Sequence, residues 1–178
     1  MPAIWLVSDA RNDARLEPAL RRLPRGSAFV FRHYHLDPEA RRARFDGLAR
    51  IARARGHRVI LAGSIAQARH WGADGAYGAS KRLQSGAQAL RAVTAHSLRE
   101  IARARVARAD AIVLSPVFAT RSHPGGGSLG PTIFRLLAAR AGVPVIALGG
   151  MTPRRARTLG TAHWAAIDGI GRPAPKDS

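Results

Sequence analysis

The chain of 178 residues contains no cysteine. Disulfides, thiolate nucleophiles and Cys-type zinc sites are therefore excluded. Carboxylates are scarce, with 11 Asp+Glu against 29 Lys+Arg and a net charge of +18. Lysine is scarce too, being confined to Lys81 and Lys176, so the positive charge is almost entirely arginine. There is no apolar run of about 18 residues, the length a membrane-spanning helix needs. The start, MPAIWLVSDA, lacks the basic stretch and long apolar core of a signal peptide. A cytoplasmic protein with no membrane partner is expected.

Arginine and alanine recur together in the helical segments, as in RRARFDGLARIARARG and REIARARVARAD. Charge spread this way is compositional rather than a concentrated patch, so nucleic acid is not the expected partner. A phosphorylated small molecule fits the basic balance better.

One unit repeats along the chain: a short apolar run, a polar or glycine-rich loop, an amphipathic helix. The apolar runs are 4–7, 28–31, 59–62, 72–77, 90–93, 111–114, 143–148 and 164–167. Pro38 opens a long helix that Gly56 stops. Ser64 and Ser97 stand where helix N-caps belong, and Glu100 completes a capping box with Ser97. Strands alternating with helices imply parallel pairing through right-handed crossovers. Eight such runs predict an α/β fold, a small (β/α)8 TIM barrel over residues 1–170, with 171–178 as a disordered tail. The length is below the roughly 200 residues usual for this fold, so a short or missing helix is expected near 78–88. An open doubly wound sheet is the rival architecture.

In a barrel the chemistry sits at the C-terminal ends of the strands. Asp9, Arg32, His33, Gly63, Tyr77, His96, Ser115, Thr120, Gly149, Gly150, Asp168 and Gly169 fall there. Gly149-Gly150, just before the helix opening Thr152-Pro153, is either a tight turn or a phosphate cradle, since glycines let backbone N–H groups approach oxygens. Asp168 and Gly169 occupy the matching place after the eighth run. The carboxylate of Asp168 suits a phosphate neighbour only if it turns away. His96 has the pKa range for proton transfer near neutrality. His33 and His35, two apart in sequence, share a face and are candidates to look into the mouth.

Several segments, in order, resemble the thiamine phosphate synthase and thiazole tautomerase family. IALGGMTPRRA is similar to its IGGI-(T/N)-P segment and IWLVSD to its first strand. FRHYH lies where the family has Arg-Glu-Lys. VTAHSLREI is similar to its Ser-x-His-Ser segment, and LSPVFATRSH to its loop after strand six. The resemblance runs from about residue 4 to 170. It implies a barrel that binds a thiazole phosphate. In the synthases, the thiazole then joins a pyrimidine whose diphosphate departs with Mg2+ held by Asp side chains. It assigns Gly149, Gly150, Asp168 and Gly169 to the phosphate, and Arg32, Ser115, Thr120, Ser122 and His123 to the substrates. In the tautomerase branch it makes His96 the general acid/base.

The departures lie on the metal side. Gly63-Ser64 replaces the Asn-Asp after strand three, YGASKR replaces the Gln and Asp after strand four, and two lysines give way near Tyr34 and at His123. No metal ligand is therefore assigned. Two readings follow: either Lys81 and Arg82 meet a phosphate directly where Mg2+ would have bridged, or the synthase chemistry has been lost. Three functions follow from the resemblance: a synthase of thiamine biosynthesis, a thiazole tautomerase, and a phosphate-ligand binder without catalysis.

Overall fold

The structure, a computed structural model, describes residues 1–83, 89–120, 127–168 and 170. Eight parallel strands close into a barrel in chain order. They are β1 (Ile4–Val7), β2 (Ala28–Phe31), β3 (Arg58–Ala62), β4 (Gly75–Ala79), β5 (Leu90–Ala95), β6 (Ala111–Leu114), β7 (Val145–Leu148) and β8 (Trp164–Ala166). Closure is made by β1 and β8, with Ile4 opposite Trp164 and Leu6 opposite Ala166. That pairing rules out the open sheet.

Strand residues alternate between two apolar layers, as the two-residue period of a strand requires. Trp5, Val7, Ala28, Val30, Ile60, Ala62, Tyr77, Ala92, Val113 and Ile146 fill the barrel interior. Leu6, Phe29, Phe31, Leu61, Ile112 and Leu114 face the helices and meet Phe45 and Leu48. Both faces of AFVF and AIVL are thus buried, which is why these runs read as continuous apolar stretches rather than alternating ones.

The helices among the described residues are α1 (Leu16–Arg22), α2 (Pro38–Ala54), α3 (Ile65–His70), α4 (Ser80–Leu83), α5 (Leu98–Val106), α6 (Gly130–Ala138) and α7 (Pro153–Leu159). The expected short helix is α4, of four residues. The rest of 78–88, from 84, and the tail 171–178 lie outside the described residues. The Ser64 cap forms, accepting from the Gln67 N–H at 3.1 Å. The box at Ser97 is shifted by one residue: Ser97 Oγ accepts from the Glu100 N–H, but the Glu100 carboxylate accepts from the His96 N–H at 2.6 Å. β4 begins later than its sequence pattern, at Gly75, because the preceding turn passes through Gly72 in a left-handed conformation (φ +69°).

Candidate active site

A cavity of about 770 Å3 opens where the strands end. Arg32, His96, Ser115, Thr120, Gly149, Gly150 and Asp168 all line it, together with Tyr34, Tyr77, Arg82, Thr152 and Arg155. Seven of the ten sequence-assigned positions therefore meet in one space. Ser122, His123 and Gly169 lie outside the described residues.

The glycine pair has two structural reasons. Gly149 has φ +100° and Gly150 φ +60°, backbone that side-chain-bearing residues rarely adopt. A Cβ on Gly149 would sit 2.7 Å from both Cα and Cβ of Pro116, and one on Gly150 would sit 2.7 Å from the carbonyl of Ala119. The loops after β6 and β7 are in direct contact there. The Val117 N–H donates to the Leu148 carbonyl at 2.9 Å and the Phe118 N–H to the Gly149 carbonyl at 3.1 Å. Glycine is thus required by loop-on-loop packing, and a bare backbone is presented to the cavity as well.

Immediately after the pair, Thr152 caps α7, its Oγ1 accepting from the Arg155 N–H at 3.2 Å, and Pro153 occupies the first turn. Arg155 is three residues past the cap. Side chains on a helix lean toward its N-terminus. The Arg155 guanidinium accordingly reaches back to donate to the Gly150 carbonyl at 2.5 Å and lies over the Phe118 ring, 4.7 Å from its centroid. Sequence reasoning missed Arg155. Its signal was the cap-plus-three position after TP.

On another side of the cavity, the backbone of Arg32 is held at both its N–H and its carbonyl. Its N–H donates to Ser8 Oγ at 2.8 Å, and its carbonyl accepts from Arg41 Nε at 3.0 Å. Arg41 also donates to the Ala62 carbonyl at 2.8 Å, and its guanidinium lies 5.1 Å from the Trp71 ring centroid and 5.5 Å from that of Tyr34. One half-buried cation thus ties together the ends of β2 and β3. Burial lowers its pKa from the usual arginine value, while the neighbouring Tyr34 pulls the other way. The Tyr77 phenol is pushed up to about 12 by burial, so it stays protonated as a hydroxyl donor.

His96 sits at the end of β5 with its Nδ1 against the Ser115 carbonyl. A carbonyl can only accept, so Nδ1 is the donor in this contact, which leaves Nε2 as the acceptor of the neutral ring. His33 does not look into the mouth. It is buried, stacked on Phe31 at 4.6 Å, with Nδ1 2.8 Å from Ser8 Oγ and Nε2 2.7 Å from Asp13 Oδ1. His35 tilts against it at 5.2 Å. The Ser8–His33–Asp13 chain is a structural support, because Ser8 is fully buried.

The carboxylates near the mouth are already engaged. Asp9 caps the 3-10 turn Ala10–Arg15 and pairs with Arg11 Nε at 2.7 Å. Burial raises its pKa, but the Arg11 hydrogen bonds and charge outweigh that and hold it below the usual carboxylate value. Asp168 lies 4.0 Å from Arg11 Nη1. Among the described residues no three His, Asp or Glu converge. Among the described residues, no helix is long and apolar enough to cross a membrane.

The family model for thiamine monophosphate synthase matches residues 4–170. The bifunctional thiamine biosynthesis protein ThiM/ThiE of Symbiobacterium thermophilum is 35% identical over 124 residues, 66% of this chain but 26% of that protein's length. The chain thus matches about a quarter of that relative. Thiamine phosphate pyrophosphorylase from Pyrococcus furiosus has the same fold, with a TM-score of 0.78 at 19% identity over 95% of this chain and 87% of that one. The enzyme of the same name from Bacteroides thetaiotaomicron gives 0.59 at 14% identity over 100% and 89%. With its eight-stranded barrel matched from the first strand to beyond the last, this chain belongs to the thiamine monophosphate synthase family.

Proposed function

We propose that the cavity binds a phosphorylated thiazole, with the phosphate against Gly149 and Gly150 and the ring toward His96 and Ser115. The observation that carries this reading is the glycine pair itself, opening one wall of a cavity that His96 also lines. Arg155 supports it by bringing a guanidinium beside the Gly150 carbonyl, where a phosphate oxygen gains a charged donor. Thr120 lines the same cavity. In the synthase reaction of the family this thiazole is coupled to a pyrimidine diphosphate. We assign that reaction as the one to test first. Thiazole phosphate is a charged ester that does not cross membranes, so the cytoplasm is the matching compartment.

A second reading rests on His96. With Nδ1 held by the Ser115 carbonyl, the Nε2 of the neutral ring is an oriented acceptor, as proton transfer on a thiazole carboxylate phosphate needs. That chemistry requires no metal. The two readings separate in one pair of assays. A synthase forms thiamine phosphate from thiazole phosphate and pyrimidine diphosphate. A tautomerase isomerises the carboxylated thiazole phosphate in EDTA and loses the reaction in His96→Ala. Failure of both assays leaves a binding protein, provided that thiazole phosphate still titrates.

A further inference from the structure

The arginines that are dispersed along the sequence are not dispersed in space. Each helix of the barrel runs from the mouth toward the opposite end, so helix C-termini and strand starts collect there. Arg22, Arg53, Arg69, Arg105 and Arg157 sit in the last turns of α1, α2, α3, α5 and α7. Arg25, Arg58, Arg108 and Arg140 follow in the turns and strand start beyond. All of these are exposed, and among the described residues none has a carboxylate within 4.0 Å. Contacts between elements bring their ends together. Arg53 Nη2 donates to the Gly72 carbonyl at 2.5 Å, and Arg105 Nε lies 3.9 Å from where a Cβ on Gly142 would sit. The carboxylates at this end, Asp74 and Asp110, are taken up by the Val59 and Arg91 N–H groups at 2.7 and 2.8 Å. The mouth end differs. There Asp37 and Glu39 open α2, Asp9 pairs with Arg11, and Asp13 and Glu17 pair with Arg44.

The helix dipole favours cations at C-termini, but its effect ends within the last turn and does not reach Arg25 or Arg58. Gathering like charges without counter-charges costs the folded chain self-repulsion, which an anionic partner relieves. The charge is all guanidinium, the group that meets phosphate oxygens through paired N–H donors. Among the described residues no Trp, Tyr or Phe is exposed at this end; the exposed aromatic, Tyr34, is at the mouth. Stacking on single-stranded bases and aromatic anchoring in a membrane therefore lack their usual side chains. We propose that the end of the barrel opposite the mouth is a docking surface for the phosphate backbone of duplex nucleic acid, without base readout. It lies away from the cavity, so it stands or falls apart from the thiazole reading.

The test is fluorescence anisotropy of a short labelled DNA duplex of mixed sequence, titrated with the full chain at salt from about 50 to 200 mM. Two triple variants remove equal charge from opposite ends. One carries Arg25→Gln, Arg58→Gln and Arg140→Gln. The other carries Arg15→Gln, Arg99→Gln and Arg154→Gln, exposed positions at helix starts on the mouth side. The parent is expected to bind with an affinity that falls steeply with salt. The first variant should lose at least about tenfold in affinity and lower the salt slope by about 2–3, one phosphate contact per arginine. The second should change affinity by less than about threefold and leave the slope as it was. Far-UV circular dichroism confirms folding, and Arg25→Gln and Arg58→Gln singly, each lowering the slope by about 1, replace a triple variant that fails to fold. Equal losses in the two variants mean binding through overall charge and overturn the proposal. So does an absence of duplex binding by the parent, or a single strand of the same length that binds more tightly. Binding to phosphatidylserine vesicles that needs the same arginines, with none to the duplex, overturns it in favour of a membrane surface.

Discussion

Replacing Gly149 by alanine separates the two reasons for a glycine at the mouth of β7. If the glycine serves only a ligand, the ligand-free protein tolerates the change. The structure says otherwise. An L-residue held at φ +100° is strained by about 1–3 kcal/mol. The new methyl would also lie 2.7 Å from the Cα and Cβ of Pro116 and 3.1 Å from the Val117 nitrogen. Those atoms are backbone or ring and cannot swing aside, so the β6 loop must move, at a further cost of about 1–3 kcal/mol. The sum is centred on about 4 kcal/mol, which for a chain of this size lowers the melting temperature by roughly 8–16 °C. Thermal and urea unfolding of ligand-free Gly149→Ala, followed by circular dichroism, measures this. Gly78→Ala is the control, since a Cβ there meets nothing within 4 Å and the position also lines the cavity. A melting temperature for Gly149→Ala within a degree of the parent would refute the packing account.

Three other perturbations test the supports behind the mouth. Arg41→Ala removes the donors to the Arg32 and Ala62 carbonyls and the contacts with Trp71 and Tyr34, and is expected to cost about 2–3 kcal/mol in urea unfolding. Arg41→Lys should recover little of that, since an ammonium cannot reproduce the fork or the stacking. Burial pushes His33 below its ordinary pKa of 6.5, against the pull of Asp13. The unfolded chain therefore takes up a proton that the folded one resists, and stability is present above pH 6.5 and falls as pH drops from there toward the folded value. Unfolding midpoints measured from pH 7.5 downward should show that slope, and His33→Asn should reduce it. Thr152→Ala removes the α7 cap and should cost about 1 kcal/mol by the same unfolding measurement.

The barrel was legible because its strands are short apolar runs bounded by turn residues, and eight of them leave few ways to close. Strand ends were less legible. β5 runs on through Thr94 and Ala95, where partners in β4 and β6 extend the ladder past the apolar residues. The site was legible where a residue ends a strand, as with Arg32, His96, Ser115 and Gly149. It was illegible where tertiary contact decides. His33 shares the strand-end position of Arg32 but turns inward at φ 35° to lie between Ser8 and Asp13. Arg155 enters the cavity from within a helix, by leaning back over the cap. Arg41 is the first arginine of the arginine-rich α2, whose composition does not mark it out, and its role comes from two carbonyls in other elements.

The central claim is that the glycine-bearing wall holds the phosphate of a thiazole ligand. Calorimetric titration with thiazole phosphate, set against the same thiazole bearing a free hydroxyl, tests it most directly. The phosphate ester should bind with one-to-one stoichiometry and the alcohol at least about tenfold more weakly, with Arg155→Gln narrowing the gap. Equal affinity for the two compounds, or no heat from either, would contradict it.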